Sequence, residues 1–194
     1  MGSPSKKEVT HDRIVATAAR AIRRAGFHGV GVADIMKEAG LTHGGFYAHF
    51  ESRDALLVEA LERAAKDGGE NLAKGARLRA SRGASPFRAL VDSYLSDRHL
   101  ADAELGCPVA ALVSEMPRQP PAVRQVGVRR VRAMLTLVSE SLSADVGDEN
   151  VAAIASQLVG ALQMARTLGD NSEGKAFLSK IRASLLARYD TSEV

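Results

Sequence analysis

Aromatic side chains are scarce in this sequence, at 4% of residues. Strands draw on Val, Ile, Tyr, Phe and Trp, so the shortage weighs against a sheet, and an apolar fraction dominated by Ala and Leu favours helix. Proline is sparse and clustered, which leaves long stretches free of helix breakers. The single cysteine, Cys107, excludes an internal disulfide and points to a reducing compartment. The opening MGSPSKKEV lacks the apolar stretch of a secretory signal. The longest uncharged apolar stretch, Val151 to Ala165, is short for a bilayer span and contains Ser156 and Gln163. These absences lead us to expect a soluble, cytoplasmic chain with no membrane partner. His11, His28, His43, His49 and His99 show no metal-ligand spacing, and neither a phosphate-binding glycine motif nor paired carboxylates accompany them. No metal or cofactor is therefore expected.

What the chain does hold is material for a core: 45% of its 194 residues are apolar. Formal net charge is +3. Residues 1–30 carry Lys6, Lys7, Arg13, Arg20, Arg23 and Arg24 against only Glu8 and Asp12. Phosphate-binding segments have this footprint, and so do ordinary solvated helix faces.

Apolar positions recur at helical spacing almost throughout. Ile14, Ala18, Ala21, Ile22 and Ala25 line a first helix, capped near Thr10 and ended by a left-handed Gly26. Val32, Ile35, Met36 and Ala39 give a two-turn second helix ended by Gly40. Thr42 is placed to accept backbone N–H bonds at the start of a very short third helix, His43 to about His49, with Phe46 and Phe50 on its core side. Ser52 caps a fourth helix running into the 70s, and Pro86 opens a fifth that reaches about Leu100. A sixth runs from Pro108 to Met116, a seventh carries Val131, Met134 and Val138, an eighth spans Val151 to Leu168, and a ninth carries Phe177, Ile181 and Leu185. The expected fold is all-α with about nine helices: a three-helix unit over residues 1–52 and a larger helical body over 53–194.

Two short helices joined by a glycine-containing turn of three or four residues have helix-turn-helix geometry. In such a unit the second helix enters the DNA major groove. Gly44 and Gly45 keep that helix slim, although each lowers intrinsic helicity by about 1 kcal/mol relative to Ala. Thr42, His43, Tyr47, His49 and Arg53 are types that reach phosphates or base edges, and Gly44 lets the backbone come close.

The window GFHGVGVADIMKEAGLTHGGFYAHFESRDALL resembles the DNA-binding segment of the TetR/AcrR family of one-component regulators. Phe27, Val32, Ile35, Ala39, Gly40, Leu41, Phe46, Tyr47, His49, Phe50, Arg53, Leu56 and Leu57 carry the likeness. Gly31 departs from it, standing where such proteins place a capping Ser or Thr, as do Met36 and Ala48. The resemblance implies a homodimeric repressor on a near-palindromic double-stranded operator, with recognition helices about 34–36 Å apart or slightly more. It also implies a small-molecule effector among the middle helices, and a dimer interface built from the last two. The stripes Ile154, Leu158, Val159, Leu162 and Phe177, Ile181, Leu185 are candidates for that interface.

For the effector or sensing site the candidates are Tyr94, His99, Cys107, Met134 and Arg166, with Ala111, Met116 and Val138 beside them. Gly106-Cys107-Pro108 is similar to the Gly-Cys region of electrophile-sensing members of the family. At a helix start, the dipole there favours the thiolate. A plain buried hydrophobe is the competing reading of Cys107. Two other function classes stay open at this point: a small helical enzyme built on Cys107 and His99, and a helical interaction module that leaves DNA alone.

Overall fold

The computed structural model describes residues 4–143 and 146–190, so the first three residues of the opening stretch lie outside it. Among the described residues are nine α-helices: α1 (Lys6–Ala25), α2 (Val32–Glu38), α3 (Arg53–Ala80), α4 (Pro86–Tyr94), α5 (Asp97–Ala101), α6 (Pro108–Leu112), α7 (Pro121–Ser141), α8 (Asp148–Leu168) and α9 (Ser172–Tyr189). Single 3-10 helices occupy His43–Ala48 and Met116–Arg118, and no strand is present among these residues.

Local chemistry sets the helix ends. α1 starts at Ser5, not near Thr10. The Ser5 hydroxyl accepts from the Glu8 N–H at 3.2 Å, and the Glu8 carboxylate accepts from the Ser5 N–H at 2.7 Å. This reciprocal box satisfies two otherwise orphaned donors. Thr10 lies a turn inside and donates its hydroxyl back to the Lys6 carbonyl. Gly26 ends α1 at φ 78°, the left-handed conformation expected of it. α3 is capped by Ser52, whose hydroxyl accepts from the Ala55 N–H. It runs on to Ala80 through Gly68, Gly69 and Gly75.

The expected fifth helix is two helices. α4 stops at Tyr94, and the Ser96 hydroxyl caps α5 by accepting from the His99 N–H at 3.2 Å. A side chain that starts a new helix there outcompetes continuation of the old one. The expected sixth helix is shorter, ending at Leu112 and passing into the 3-10 turn at Met116. α7 begins earlier than its predicted stripe and buries Val123, Val126, Met134 and Val138, while Val131 faces outward.

The side chains form two apolar clusters. The first joins α1, α2, the His43–Ala48 turn and the first half of α3 around Ile14, Ile22, Phe27, Phe46 and Leu61. It also takes in Leu112, Met116, Val123 and Val126 from α6, the turn after it and α7. The N-terminal unit is thus cored in part by the body behind it. The second cluster packs α4 to α9 around Tyr94, Leu95, Ile154, Leu158, Leu162 and Leu178.

α8 changes two expectations. Over Glu149–Leu168 it is long and apolar enough to cross a membrane by length and composition alone. In the fold, however, its Ile154, Leu158, Leu162 and Ala165 are fully buried in the second cluster. The stripe expected to face a partner is therefore largely internal, and Leu185 of α9 is buried with it. Among the described residues, the large apolar side chains that α8 exposes are Met164, 59% exposed, and Leu168.

Candidate DNA-binding surface and thiol site

The turn between α2 and α3 is a 3-10 helix, tighter than an α-helix, and only packing beneath it explains its persistence. Phe46 is 1% exposed and stacks on Phe50 with ring centroids 5.5 Å apart. Met36 lies under Gly45, its terminal methyl 3.7 Å from where a Cβ would sit. The adjacent Tyr47 meets Phe46 edge-on and is 73% exposed. Thr42, His43 and Gly44 are exposed beside it, and Gly44 has open space around it. Thr42 makes no side-chain cap bond, contrary to expectation, because the turn closes through its carbonyl instead, which accepts from the Gly45 N–H at 3.1 Å.

The other two expected contact residues point elsewhere. Arg53 is half-buried and donates to the Phe27 carbonyl, bracing the end of α1 against the start of α3. His49 is half-buried, with Nδ1 enclosed and unpartnered. Its ring tilts against His11, which stacks on Phe50 and reaches Glu59 at 2.7 Å. Burial holds the His49 imidazole below its ordinary range, helped by His11 and Lys7. The surface is thus a polar edge of Thr42, His43, Gly44 and Tyr47 on an aromatic base, with His49 and Arg53 at its rear.

Four of the five expected sensing residues meet around the start of α6. His99 donates from Nδ1 to the Tyr94 carbonyl at 2.7 Å, and its Nε2 accepts from the Cys107 N–H at 2.9 Å. Both bonds require the neutral ring with its proton on Nδ1. Burial pushes this imidazole down to about 4, against the Tyr94 carbonyl bond that favours the charged form. Its one lone pair is held by a backbone amide, so His99 is not positioned to take a proton from the thiol. Arg166 donates to the His99 carbonyl at 2.7 Å. Burial pushes its guanidinium down, opposed by Tyr94 and Cys107 nearby. The Tyr94 hydroxyl is fully enclosed, and burial together with Cys107 raises it well above the usual phenol range. Cys107 itself is half-buried. α6 is only five residues long, so Arg166 is the larger source of positive field there. Met134, the fifth candidate, is buried elsewhere in the same apolar cluster.

Sequence reasoning missed the link between these two sites. Arg23, buried on α1, donates to the carbonyls of Ala19 at 3.0 Å, Ala64 at 3.0 Å and Gly106 at 3.1 Å. Arg24 bridges Glu38 and Glu104, and the Glu115 carboxylate accepts from the Phe27 N–H at 3.0 Å. Gly68 and Gly106 allow this close approach: a Cβ on Gly68 would lie 2.7 Å from the Gly106 carbonyl oxygen, and one on Gly106 would lie 2.6 Å from His99 Nε2. The residue preceding Cys107 is therefore gripped from the N-terminal unit. Partners 83 and 88 residues apart leave no periodic signal in a sequence.

Residues 14–60 match the family model described as bacterial regulatory proteins, tetR family. Among curated relatives, an uncharacterised helix-turn-helix-type transcriptional regulator of Mycobacterium tuberculosis is 28% identical over 187 residues, covering 91% of this chain and 94% of that one. The regulator YerO of Bacillus subtilis, also uncharacterised, is 39% identical over 51 residues, 26% of this chain and 18% of that one. Among solved structures, the reduced form of NemR from E. coli superposes with a TM-score of 0.76 at 20% identity, covering 96% of this chain and all of that one. A TetR-family transcriptional regulator from Agrobacterium tumefaciens gives the same TM-score, 0.76, at 21% identity, over 95% of this chain and 99% of that one. These relatives are named as transcriptional regulators, and the matched segment is the one that presents Tyr47 and His43. Residues 14–60 thus carry the likeness to the tetR family of bacterial regulatory proteins, and the fold over nearly the whole chain is that of the TetR-family regulator from Agrobacterium tumefaciens.

Proposed function

We propose that this protein is an effector-responsive repressor that binds a near-palindromic operator as a homodimer and is relieved when the Cys107 thiol is modified. The observation that carries DNA recognition is Tyr47, 73% exposed beside a nearly inaccessible Phe46. Tyrosine offers a large contact area with only two side-chain torsions to freeze, so it loses little entropy on contact with a duplex. In this reading Thr42, His43, Gly44 and Tyr47 meet the duplex. His49 and Arg53 set the pose of the segment, with the remaining donors of Arg53 available to a phosphate. Residues 1–52 act as the reading head and 53–194 as the sensing and dimerising body, working in the cytoplasm where the duplex is.

The outward face of α8 supports the dimer. Met164 and Leu168 are exposed beside Gly160, around which there is open space for a close-packed partner helix. Cys107 supports electrophile sensing because its surroundings, Arg166 and Tyr94, carry polar groups a plain core would not. An α,β-unsaturated aldehyde would bond sulfur through its β-carbon, the thiol proton ending on the α-carbon with the carbonyl retained. A quinone would bond sulfur through a ring carbon, the displaced ring proton and the thiol proton ending on the two oxygens of the hydroquinone. Selection of bound duplexes from a random pool tests the operator, and a palindromic motif is expected. For the thiol, the duplex affinity of the native chain and of Cys107→Ser is compared before and after N-ethylmaleimide. Loss of affinity in the native chain alone is expected, and equal responses would remove Cys107 as the sensor.

A further inference from the structure

A cavity of about 300 Å³ lies between α3 and the α4–α5 turn, large enough for a small organic molecule. Its wall is mostly apolar. Leu72 lines it, and Leu78 and Leu105 stand at its mouth, 54% and 38% exposed. Around that apolar wall are three cations, Lys74, Arg79 and Arg98, against one carboxylate, Asp102. Asp102 is engaged in accepting from the Leu105 N–H at 3.1 Å. Among the described residues, none of the three cations has a carboxylate within ion-pairing distance.

Arg79 is the informative one. It is half-buried, and its donors go to neutral groups, the Gly75 carbonyl at 3.1 Å and the Ser93 hydroxyl at 3.3 Å. A guanidinium fixed in a partly desolvated site without a counter-charge is completed well by a planar anion. We infer that this cavity binds a small amphipathic monocarboxylate, its acid group on Arg79 with Lys74 and Arg98 at the rim, and its apolar body along Leu72, Leu78 and Leu105. This rests on the reading of the body as a sensing domain and names the effector class. The same cavity is floored by His99 and Gly106. Its occupant therefore abuts the segment whose carbonyl Arg23 of α1 holds at 3.1 Å, so binding is felt at the reading head without any reaction at sulfur.

The test is titration calorimetry of the full chain with matched acids and amides, 3-phenylpropionate against 3-phenylpropionamide and octanoate against octanamide. At least one acid is expected to bind about tenfold or more tightly than its amide, a difference that shrinks with added salt. Arg79→Met should abolish the acid's advantage, Arg79→Lys should keep part of it, and Cys107→Ser should leave it intact. Equal binding of acid and amide, no binding of any probe at millimolar concentration, or an undiminished preference in a folded Arg79→Met variant overturns the inference. Duplex binding is measured on the same samples. Its persistence when acid binding fails sinks the carboxylate site alone, and its failure when acid binding succeeds sinks the regulator reading alone.

Discussion

His99 fastens the turn before α6 with both ring nitrogens, and that geometry exists only for the uncharged ring. Its folded-state value of about 4 lies below the ordinary 6.5, so the unfolded chain binds the proton more readily. Its contribution is therefore complete above about pH 6.5 and is lost as pH falls toward 4. The expected loss by pH 4 is about 3 kcal/mol, read as a fall in the denaturant midpoint. His99→Gln retains an acceptor for the Cys107 amide and should flatten that part of the profile. An unchanged profile would show that another group dominates. The residue types here were legible: Tyr94, His99, Cys107 and Arg166 could all be picked out from the chain. What each bonds to was not, because the bonds run to backbone atoms whose position only the fold supplies. The same limit applies to Arg53 and His49: both are of types that contact DNA, and the fold gives one a bond to the Phe27 carbonyl and the other a contact with His11 that the sequence does not display.

Among the elements, the His43–Ala48 turn places a buried Phe46 beside an exposed Tyr47, which in the proposed reading separates stability from recognition. Phe46→Ala should cost about 3–5 kcal/mol, as for other fully buried aromatics, and lower the melting temperature sharply. Tyr47→Ala should leave that temperature almost unchanged and weaken duplex binding about tenfold or more. Equal thermal effects of the two would mean that Tyr47 is packed rather than presented. At the other end of α1, Ser5→Ala should cost about 1 kcal/mol, detected by chemical denaturation, whereas Thr10→Ala should cost clearly less. Helix existence was largely visible from apolar spacing, but ends were less so. The Ser5–Glu8 box is written in the sequence, but Thr10 offers the same capping chemistry one turn later, and spacing alone does not choose between them. Ser96-Asp97 likewise carries a cap signal inside a run of otherwise continuous helical spacing.

Across the whole molecule, the two apolar clusters are joined at α6 and α7, and long-range polar ties fasten the N-terminal helices to the body, among them Arg23 to Gly106, Arg24 to Glu104, Phe27 to Glu115 and His28 to Gln119. Arg23 is the most buried of these, its guanidinium depressed by desolvation and supported by Asp67, Asp102 and Glu104. Arg23→Lys keeps a charge but loses the fork that grips Gly106 and Ala64 together. We expect this variant to retain duplex affinity while losing its response to N-ethylmaleimide, as measured by fluorescence anisotropy. A full response would show that the signal travels by another route. All-helical architecture and a small head on a larger body could be read from composition and periodicity. The sharing of one core between head and body could not, since Leu112 and Val123 look like any other apolar positions.

Duplex affinity as a function of salt, measured for the native chain and for His43→Ala and Tyr47→Ala, tests most directly whether the exposed edge of the His43–Ala48 turn reads DNA. The native chain should give a straight, steeply negative plot of log affinity against log salt on its selected operator. Each variant should bind that operator more weakly while keeping its melting temperature. Binding that is insensitive to salt, or variants that match the native chain on the same operator, would contradict it.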